Sequence, residues 1–100
     1  MIISMKSNII SFLKEKNVIL TEGTSKWFNL GGNNFITIDW SDEIKGFQVT
    51  KSEFETKNTV ITSINFWLDS NWNEIEVNNN DYPDLWIFPQ SIDDIYHSFS

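Results

Sequence analysis

TVITSINFWL, residues 59–68, is the clearest structural signal in this chain. β-Branched and aromatic side chains dominate the stretch, as is typical of a strand. Because successive side chains point to opposite faces of a strand, its residues divide into two sets. One set contains Val60, Ile64, Phe66 and Leu68, and the other contains Ser63, Asn65 and Trp67. The first set is apolar and the second is mixed, so we predict a half-buried strand with the first set in a core.

Six further stretches have a similar composition and are separated by short polar connections. They span residues 18–22, 26–30, 34–40, 46–54, 74–77 and 85–88. Gly31-Gly32-Asn33 consists of residue types that tolerate positive φ, so it predicts a tight turn, and Lys57-Asn58 is a weaker turn signal. Strands with such short connections pair in an antiparallel manner, which predicts a twisted antiparallel sheet of about five to seven strands.

Each end of the chain carries a helical signal. Residues 4–16 place apolar side chains at helical spacing, and Asn17 can end the run. Near the other end, Ser91-Ile92-Asp93-Asp94 has the pattern of a capping box. The apolar stripe that follows contains Ile92, Ile95, Tyr96 and Phe99. We therefore predict an α+β fold with an N-terminal amphipathic helix and a short C-terminal helix, in a single domain over residues 1–100.

Composition disfavours several classes of protein. The chain has no cysteine, which removes disulfides, thiol catalysis and the common structural zinc sites. Its one histidine, His97, has no second imidazole with which to share a metal. The first residues lack the pattern of a signal peptide, and no apolar run approaches the roughly 20 residues that span a bilayer. We expect a cytoplasmic protein without cofactor, metal or membrane segment.

The net charge of −7 is unevenly distributed along the sequence. All seven lysines lie in residues 1–57, where seven acidic residues balance them. Residues 58–100 contain seven acidic residues and no lysine, so they carry the whole excess. Because phosphate binding requires clustered cations, direct binding of nucleic acid is disfavoured. The acidic half predicts either a solubilising surface or a surface that docks a basic partner.

Aromatic residues are interleaved with the acids of this second half. Protein interfaces combine aromatic anchors with a complementary charged rim, and the polar loop 78–84 is a favourable place for such contacts. We therefore predict a partner-binding surface, to which Trp67 is a further candidate. Its residues are Asp69, Trp72, Glu74, Glu76, Asp81, Tyr82, Asp84 and Trp86.

Patterns for metal binding and catalysis are incomplete. Asp69, Asn71 and Asn73 alternate like the start of a calcium loop, but Glu74 stands where the loop needs glycine. Two glutamate pairs, Glu53/Glu55 and Glu74/Glu76, would each share one strand face, as a carboxylate-based hydrolase needs. Alternating glutamates on a solvated strand face are more common, and no nucleophile elbow or phosphate-binding glycine pattern is present. We predict that the chain is not an enzyme.

A small acidic chain with an aromatic binding surface and no catalytic set resembles the immunity proteins of bacterial contact-dependent inhibition and other polymorphic toxin systems. The resemblance implies a cytoplasmic protein that binds and neutralises a toxin domain from a neighbouring cell, often a basic nuclease. It implies that lysines and arginines of the toxin meet Asp69, Glu74, Glu76, Asp81 and Asp84. It implies that the desolvated anchors are Trp72, Tyr82 and Trp86.

Three alternatives predict different behaviour. A phage-type nucleic-acid mimic would bind several unrelated basic proteins, whereas an immunity protein has one cognate toxin. A small hydrolase that uses Glu53/Glu55 or Glu74/Glu76 requires a concave pocket and one carboxyl group with a raised pKa. A plain structural subunit would expose an apolar patch instead of an acidic one.

Overall fold

A computed structural model describes residues 5–78, 80–82 and 88–99. The helices are α1 (Met5–Glu15) and α2 (Ile92–Ser98). The strands are β1 (Ser25–Gly31), β2 (Asn34–Ser41), β3 (Gly46–Thr56), β4 (Thr59–Leu68) and β5 (Glu74–Ile75). The strands form one curled antiparallel sheet in which each strand neighbours the next along the chain. The predicted α+β fold, with a helix at each end of an antiparallel sheet, is confirmed.

One face of the sheet packs against α1 and is named the α1 face. The helix contributes Ile9 and Leu13 to this contact. The sheet contributes the buried side chains of Ile36, Ile38, Phe47, Val49, Phe66 and Leu68. All of these side chains are apolar, and burial of a residue of this size contributes roughly 1.5–3 kcal/mol. The contact between α1 and this face is therefore the main core.

The opposite face, named the α2 face, has a different composition. α2 covers one end of it, where Ile92 and Ile95 pack against Phe35 and Phe54. Farther along the strands, this face carries buried polar residues. They are Thr37, Gln48, Thr50 and Ser52. The α2 face therefore combines a small apolar cluster with a polar region.

Hydrogen bonds join several of these polar side chains. Thr50 Oγ1 donates to Asn65 Oδ1 at 2.5 Å, and Gln48 Nε2 donates to the same oxygen at 3.3 Å. Asn65 Nδ2 in turn donates to Ser63 Oγ at 3.1 Å. Because an unbonded buried polar group costs free energy, this network offsets the burial of Thr50 and Gln48, whereas the buried Ser52 hydroxyl has no hydrogen-bond partner among the described residues.

The structure corrects the predicted division of β4 between the two faces. Val60 pairs with Phe54 and packs in the α2-face cluster, whereas Ile64 packs with the α1-face core. The β3–β4 pairing passes from Thr62 directly to Val60, so Ile61 is an extra residue in a bulge. One inserted residue reverses the side-chain alternation, and no residue type in the sequence marks the insertion.

The predicted ends of several elements are confirmed. α1 closely matches the predicted range 4–16, and Asn17 has a φ of 56° just after the helix ends. Ser91 is the N-cap of α2, and its side chain accepts the backbone N–H of Asp94 at 3.0 Å. Gly31 and Gly32 have φ values of 112° and 58°, which accounts for glycine in the turn between β1 and β2.

Two predicted strands are wrong in whole or in part. Residues 18–22 form no strand, because Val18 and Leu20 pack against the α1-face core instead of pairing with β1. The predicted strand at 74–77 shortens to the two residues of β5. Of the predicted strand at 85–88, residues 85–87 lie outside the described residues, and Phe88 is not in a strand.

Candidate functional site

The two lysines of the described strands lie on one face of the sheet. Lys26 pairs with Ile38, and Lys51 pairs with Ile64, so the register places both lysines on the α1 face. Asp39 of β2 lies on the α2 face, opposite Gln48 of β3. Among the strand residues that the structure describes, the α2 face carries no lysine. Asp39 therefore has no strand lysine beside it on this face, and Lys45 lies in the turn between β2 and β3, where its backbone N–H donates to the Ser41 carbonyl.

One cleft with acidic walls lies where β2 turns into β3 and is named the Asp39 cleft. It encloses about 260 Å³. Its lining consists of Asp39, Trp40, Ser41, Asp42, Glu43, Gln48 and Trp67. Trp40 Nε1 donates to Asp42 Oδ1 at 2.8 Å, which orients one carboxylate at the rim. Three carboxylates beside the half-buried Trp40 are the kind of lining that accepts a cationic side chain.

Asp39 is the carboxylate set deepest in this cleft. It is half-buried, whereas Asp42 and Glu43 are exposed. Burial raises the pKa of Asp39 above its ordinary value, because a carboxylate loses solvation when it leaves water. The charged form is therefore less stable in the cleft than it would be in water, and a nearby cation would relieve this penalty.

A second cleft lies between the end of β4 and the segment around β5, and is named the Glu74 cleft. It encloses about 360 Å³. Its lining consists of Lys6, Asn65, Phe66, Trp67 and residues 74–78. Lys6 Nζ lies 2.7 Å from Glu74 Oε1, while Glu76 is exposed. The cleft thus contains two of the predicted partner-binding residues. Glu74 is paired with a lysine, and Glu76 makes no salt bridge among the described residues.

Trp67 connects the two clefts, because its side chain lines both. The residue is 2% exposed, so its bulk forms a common wall and offers little surface to a partner. Glu74 and Glu76 were predicted, but Asp39, Asp42 and Glu43 were missed. They were missed because residues 1–57 contain as many lysines as acidic residues, so a count of charge along the sequence shows no excess there. The local signal was DWSDE, residues 39–43, in which three acids surround one tryptophan.

Asp69 and Trp72 lie in a tight loop after β4. Asp69 Oδ1 accepts the backbone N–H groups of Asn73 at 2.9 Å and Asn71 at 2.8 Å. The bond from Asn73, together with that from Asn71, holds the pKa of Asp69 below its ordinary value. Trp72 has a φ of 69°, packs against the α1-face core and lies 5.8 Å from the ammonium group of Lys14. Both residues organise this loop, and their contact with a partner stays a prediction.

The remaining predicted residues lie in the loop after β5. Asp81 is exposed and Tyr82 is half-buried. The backbone N–H of Asp81 donates to the Asn78 carbonyl at 3.1 Å, so this part of the loop contains a turn, as its composition predicts. Asp84 and Trp86 lie outside the described residues.

The other chemistry considered for this chain involves glutamate pairs and metals. Glu53, Glu55, Glu74 and Glu76 are all exposed. Within residues 5–78, 80–82 and 88–99, no group of three or more histidine, aspartate or glutamate side chains is arranged to hold a metal ion. In the same part of the chain, neither helix has the length and apolar character needed to cross a membrane.

Comparison of the chain with protein-family models, with curated proteins and with solved structures finds no match. A functional argument for this chain therefore depends on the two clefts and on the distribution of charge around them.

Proposed function

We propose that this chain is a cytoplasmic binding protein that docks a basic partner on its two acidic clefts. We further propose that it is an immunity protein, and that the partner is a cognate toxin domain with a basic nucleic-acid-binding surface. The observation that carries the proposal is that the Asp39 and Glu74 clefts, which together contain five acidic residues, share Trp67 in their lining.

The chemistry of the clefts favours cationic side chains over other ligands. Asp39, Asp42 and Glu43 supply acceptors, and lysine or arginine is the natural donor to a group of carboxylates. The desolvated Asp39 gains most from such a donor, because pairing restores the stability of its charged form. A nuclease domain carries clustered lysines and arginines to hold phosphates, so it offers matching chemistry.

Charge and shape would contribute differently to the complex. Complementary charge speeds association and excludes wrong partners, whereas packed apolar contacts slow dissociation. Glu76 and Asp81 are exposed and suited to the first role. We propose that Tyr82 provides an apolar contact, and contacts of Asp69, Trp72, Asp84 and Trp86 with the partner stay predictions from the sequence.

A growth experiment tests the immunity function directly. The protein encoded by the adjacent gene is produced in a host cell, with and without this chain. An immunity protein restores growth against one neighbouring toxin. If the neighbouring protein is harmless, or if this chain fails to restore growth, the immunity function is wrong. Binding to several unrelated basic proteins would support the nucleic-acid mimic instead.

Matched charge variants test the docking surface separately from the identity of the toxin. D42N/E43Q removes two charges from the Asp39 cleft, while the amide oxygen introduced by D42N retains an acceptor for Trp40. E53Q/E55Q removes the same number of charges from exposed residues of β3 that line neither cleft. We expect association with the basic partner to slow by roughly 10-fold at low salt for the cleft variant alone.

The salt dependence provides the check on this comparison. Screening weakens interactions between exposed charges, so the difference between the two variants narrows at high salt. Stopped-flow or surface-binding kinetics measure both rates. Equal association rates for D42N/E43Q and E53Q/E55Q would sink the assignment of the Asp39 cleft.

A further inference from the structure

β1 forms one edge of the sheet. Residues 25–29 pair with β2 in a regular antiparallel register, and the first irregularity follows between Asn29 and Gly31. Among the residues that the structure describes, β2 is the only strand paired with β1. An edge strand directs alternate backbone N–H and C=O groups outward, so β1 can template a further strand.

The other edge of the sheet is interrupted at both of its ends. β5 covers Trp67 and Leu68 at one end of β4, and the bulge at Ile61 interrupts the other end. Short edge strands and bulges both hinder the addition of another strand. β1 has no proline, and its one charged residue is Lys26, whose Nζ donates to the Ile19 carbonyl at 2.5 Å. The charge is therefore held against the protein's own loop.

We propose that β1 pairs with β1 of a second copy of this chain, antiparallel and around a two-fold axis at Trp27. The regular run of residues 25–29 is centred on Trp27, so two copies aligned in this way use the whole run. Trp27 then lies opposite Trp27 of the second copy, Lys26 opposite Phe28, and Ser25 opposite Asn29.

The chemistry of these pairs is self-complementary. No like charges are directly opposed, because Lys26 faces an aromatic ring. Aromatic pairs across neighbouring strands are among the more stabilising cross-strand contacts. Tyr96 lies with its ring 4.8 Å from that of Trp27 and is 41% exposed, so it would enlarge the aromatic contact on the α2 face. A two-fold interface needs such a patch that fits itself.

Salt distinguishes this dimer from the docking of a basic partner. Each copy carries a net charge of −7, so two copies repel each other at long range. Salt screens this repulsion, and the dimer should therefore strengthen as salt rises. The acidic clefts behave in the opposite way, because salt weakens their attraction for a cationic partner. The two proposals can therefore fail independently.

Sedimentation equilibrium of the purified full chain tests the dimer. We expect the average mass to rise from one chain toward two with concentration, with a several-fold lower dissociation constant at high salt than at low salt. A monomer at every concentration and salt would overturn the proposal. Protection of β1 amides from hydrogen exchange only after a different protein binds would also overturn it, since the strand would then come from that partner.

Cysteine cross-linking tests the register, and the natural chain has no cysteine to interfere. S25C and N29C variants are mixed in equal amounts and mildly oxidised. Opposed residues have Cβ atoms about 4.5–5.5 Å apart, so small adjustments allow a disulfide between them. We expect the S25C–N29C heterodimer to exceed both homodimers several-fold.

Two controls keep this result interpretable. T62C places a cysteine on an exposed residue of β4 at the other edge, and we expect it to cross-link only at background level. Asn29 Oδ1 accepts the Gly31 N–H at 2.6 Å, so circular dichroism and thermal unfolding must first show that N29C is folded. Cross-linking of T62C equal to that of the mixed pair would overturn the proposed interface.

Discussion

The two faces of the sheet use the same strands for different purposes. On the α1 face, Val49 belongs to the apolar cluster in which the sheet packs against α1. On the α2 face, the adjacent residue Thr50 is equally buried but bonds to Asn65. The α1 face therefore stabilises the fold by apolar burial, while the α2 face tolerates polar groups beside the Asp39 cleft.

This contrast explains why Asp39 lies on the α2 face of the sheet. A carboxylate is expensive to bury among apolar side chains but can lie beside polar groups and an open cleft. Asp39 occupies the α2 face, opposite the hydrogen-bonded Gln48. The polar region thus provides an environment in which the Asp39 carboxylate can remain near the surface of a stable sheet.

The largest expected effect on the free energy of unfolding comes from exchanging the side-chain types of two adjacent residues, Val49 on the α1 face and Thr50 on the α2 face. V49T places a hydroxyl in the apolar core and should lower the free energy of unfolding by about 1–3 kcal/mol. T50V removes one donor from the Asn65 oxygen, which still accepts from Gln48, and should cost about 1 kcal/mol. Urea unfolding of both variants measures the difference. A cost for T50V greater than that for V49T would mean that the polar network dominates.

The pH dependence of the free energy of unfolding tests how burial affects Asp39 on the α2 face. Its pKa is raised in the folded state from an ordinary value of 3.8, so the folded protein binds a proton more readily than the unfolded chain. Stability should fall as pH rises from 3.8 through the higher folded pKa. D39N removes this loss, so it should be more stable than the parent at neutral pH and approach it in acid.

Urea unfolding between about pH 3 and pH 7 measures the difference in stability between D39N and the parent. Asp42 and Glu43 line the same cleft and remain in both proteins, so the difference isolates Asp39. D39N should also bind a basic partner more weakly, because it lacks the desolvated charge. A gap between D39N and the parent that stays constant with pH would contradict the role given to burial.

The smallest expected effect concerns the ion pair where α1 meets the Glu74 cleft. Lys6 and Glu74 have side chains that are 47% and 44% exposed, so solvent screens their attraction. E74Q should change the free energy of unfolding by less than about 1 kcal/mol, and by still less at high salt. A larger loss would show that this contact fixes α1 to the β5 edge of the sheet.

Sequence periodicity predicted most of the fold but failed at particular residues. The glycine turn before β2 and the Ser91 cap follow from local backbone chemistry, so both were predicted. Val60 was assigned to the wrong face because the bulge at Ile61 has no local signature. Residues 18–22 have the composition of a strand, yet their apolar side chains pack against the core without pairing.

The candidate site was predicted less completely than the fold. Glu74 and Glu76 were found because they lie in the half of the sequence without lysine. Asp39 was missed, because a count along the chain pairs it with lysines that the fold places elsewhere. Lys26 and Lys51 balance it in the sequence but lie on the other face of the sheet.

The sequence by itself determined the helices, most strands, their antiparallel pairing and the acidic balance of the chain. These properties depend on side-chain period, turn chemistry and composition, which act over a few residues. Tertiary structure decided the direction of Val60, the burial of Trp67 and the joining of two acidic clefts across β2, β3 and β4. Those outcomes depend on register and sheet curvature, because both bring residues together that are far apart in the chain.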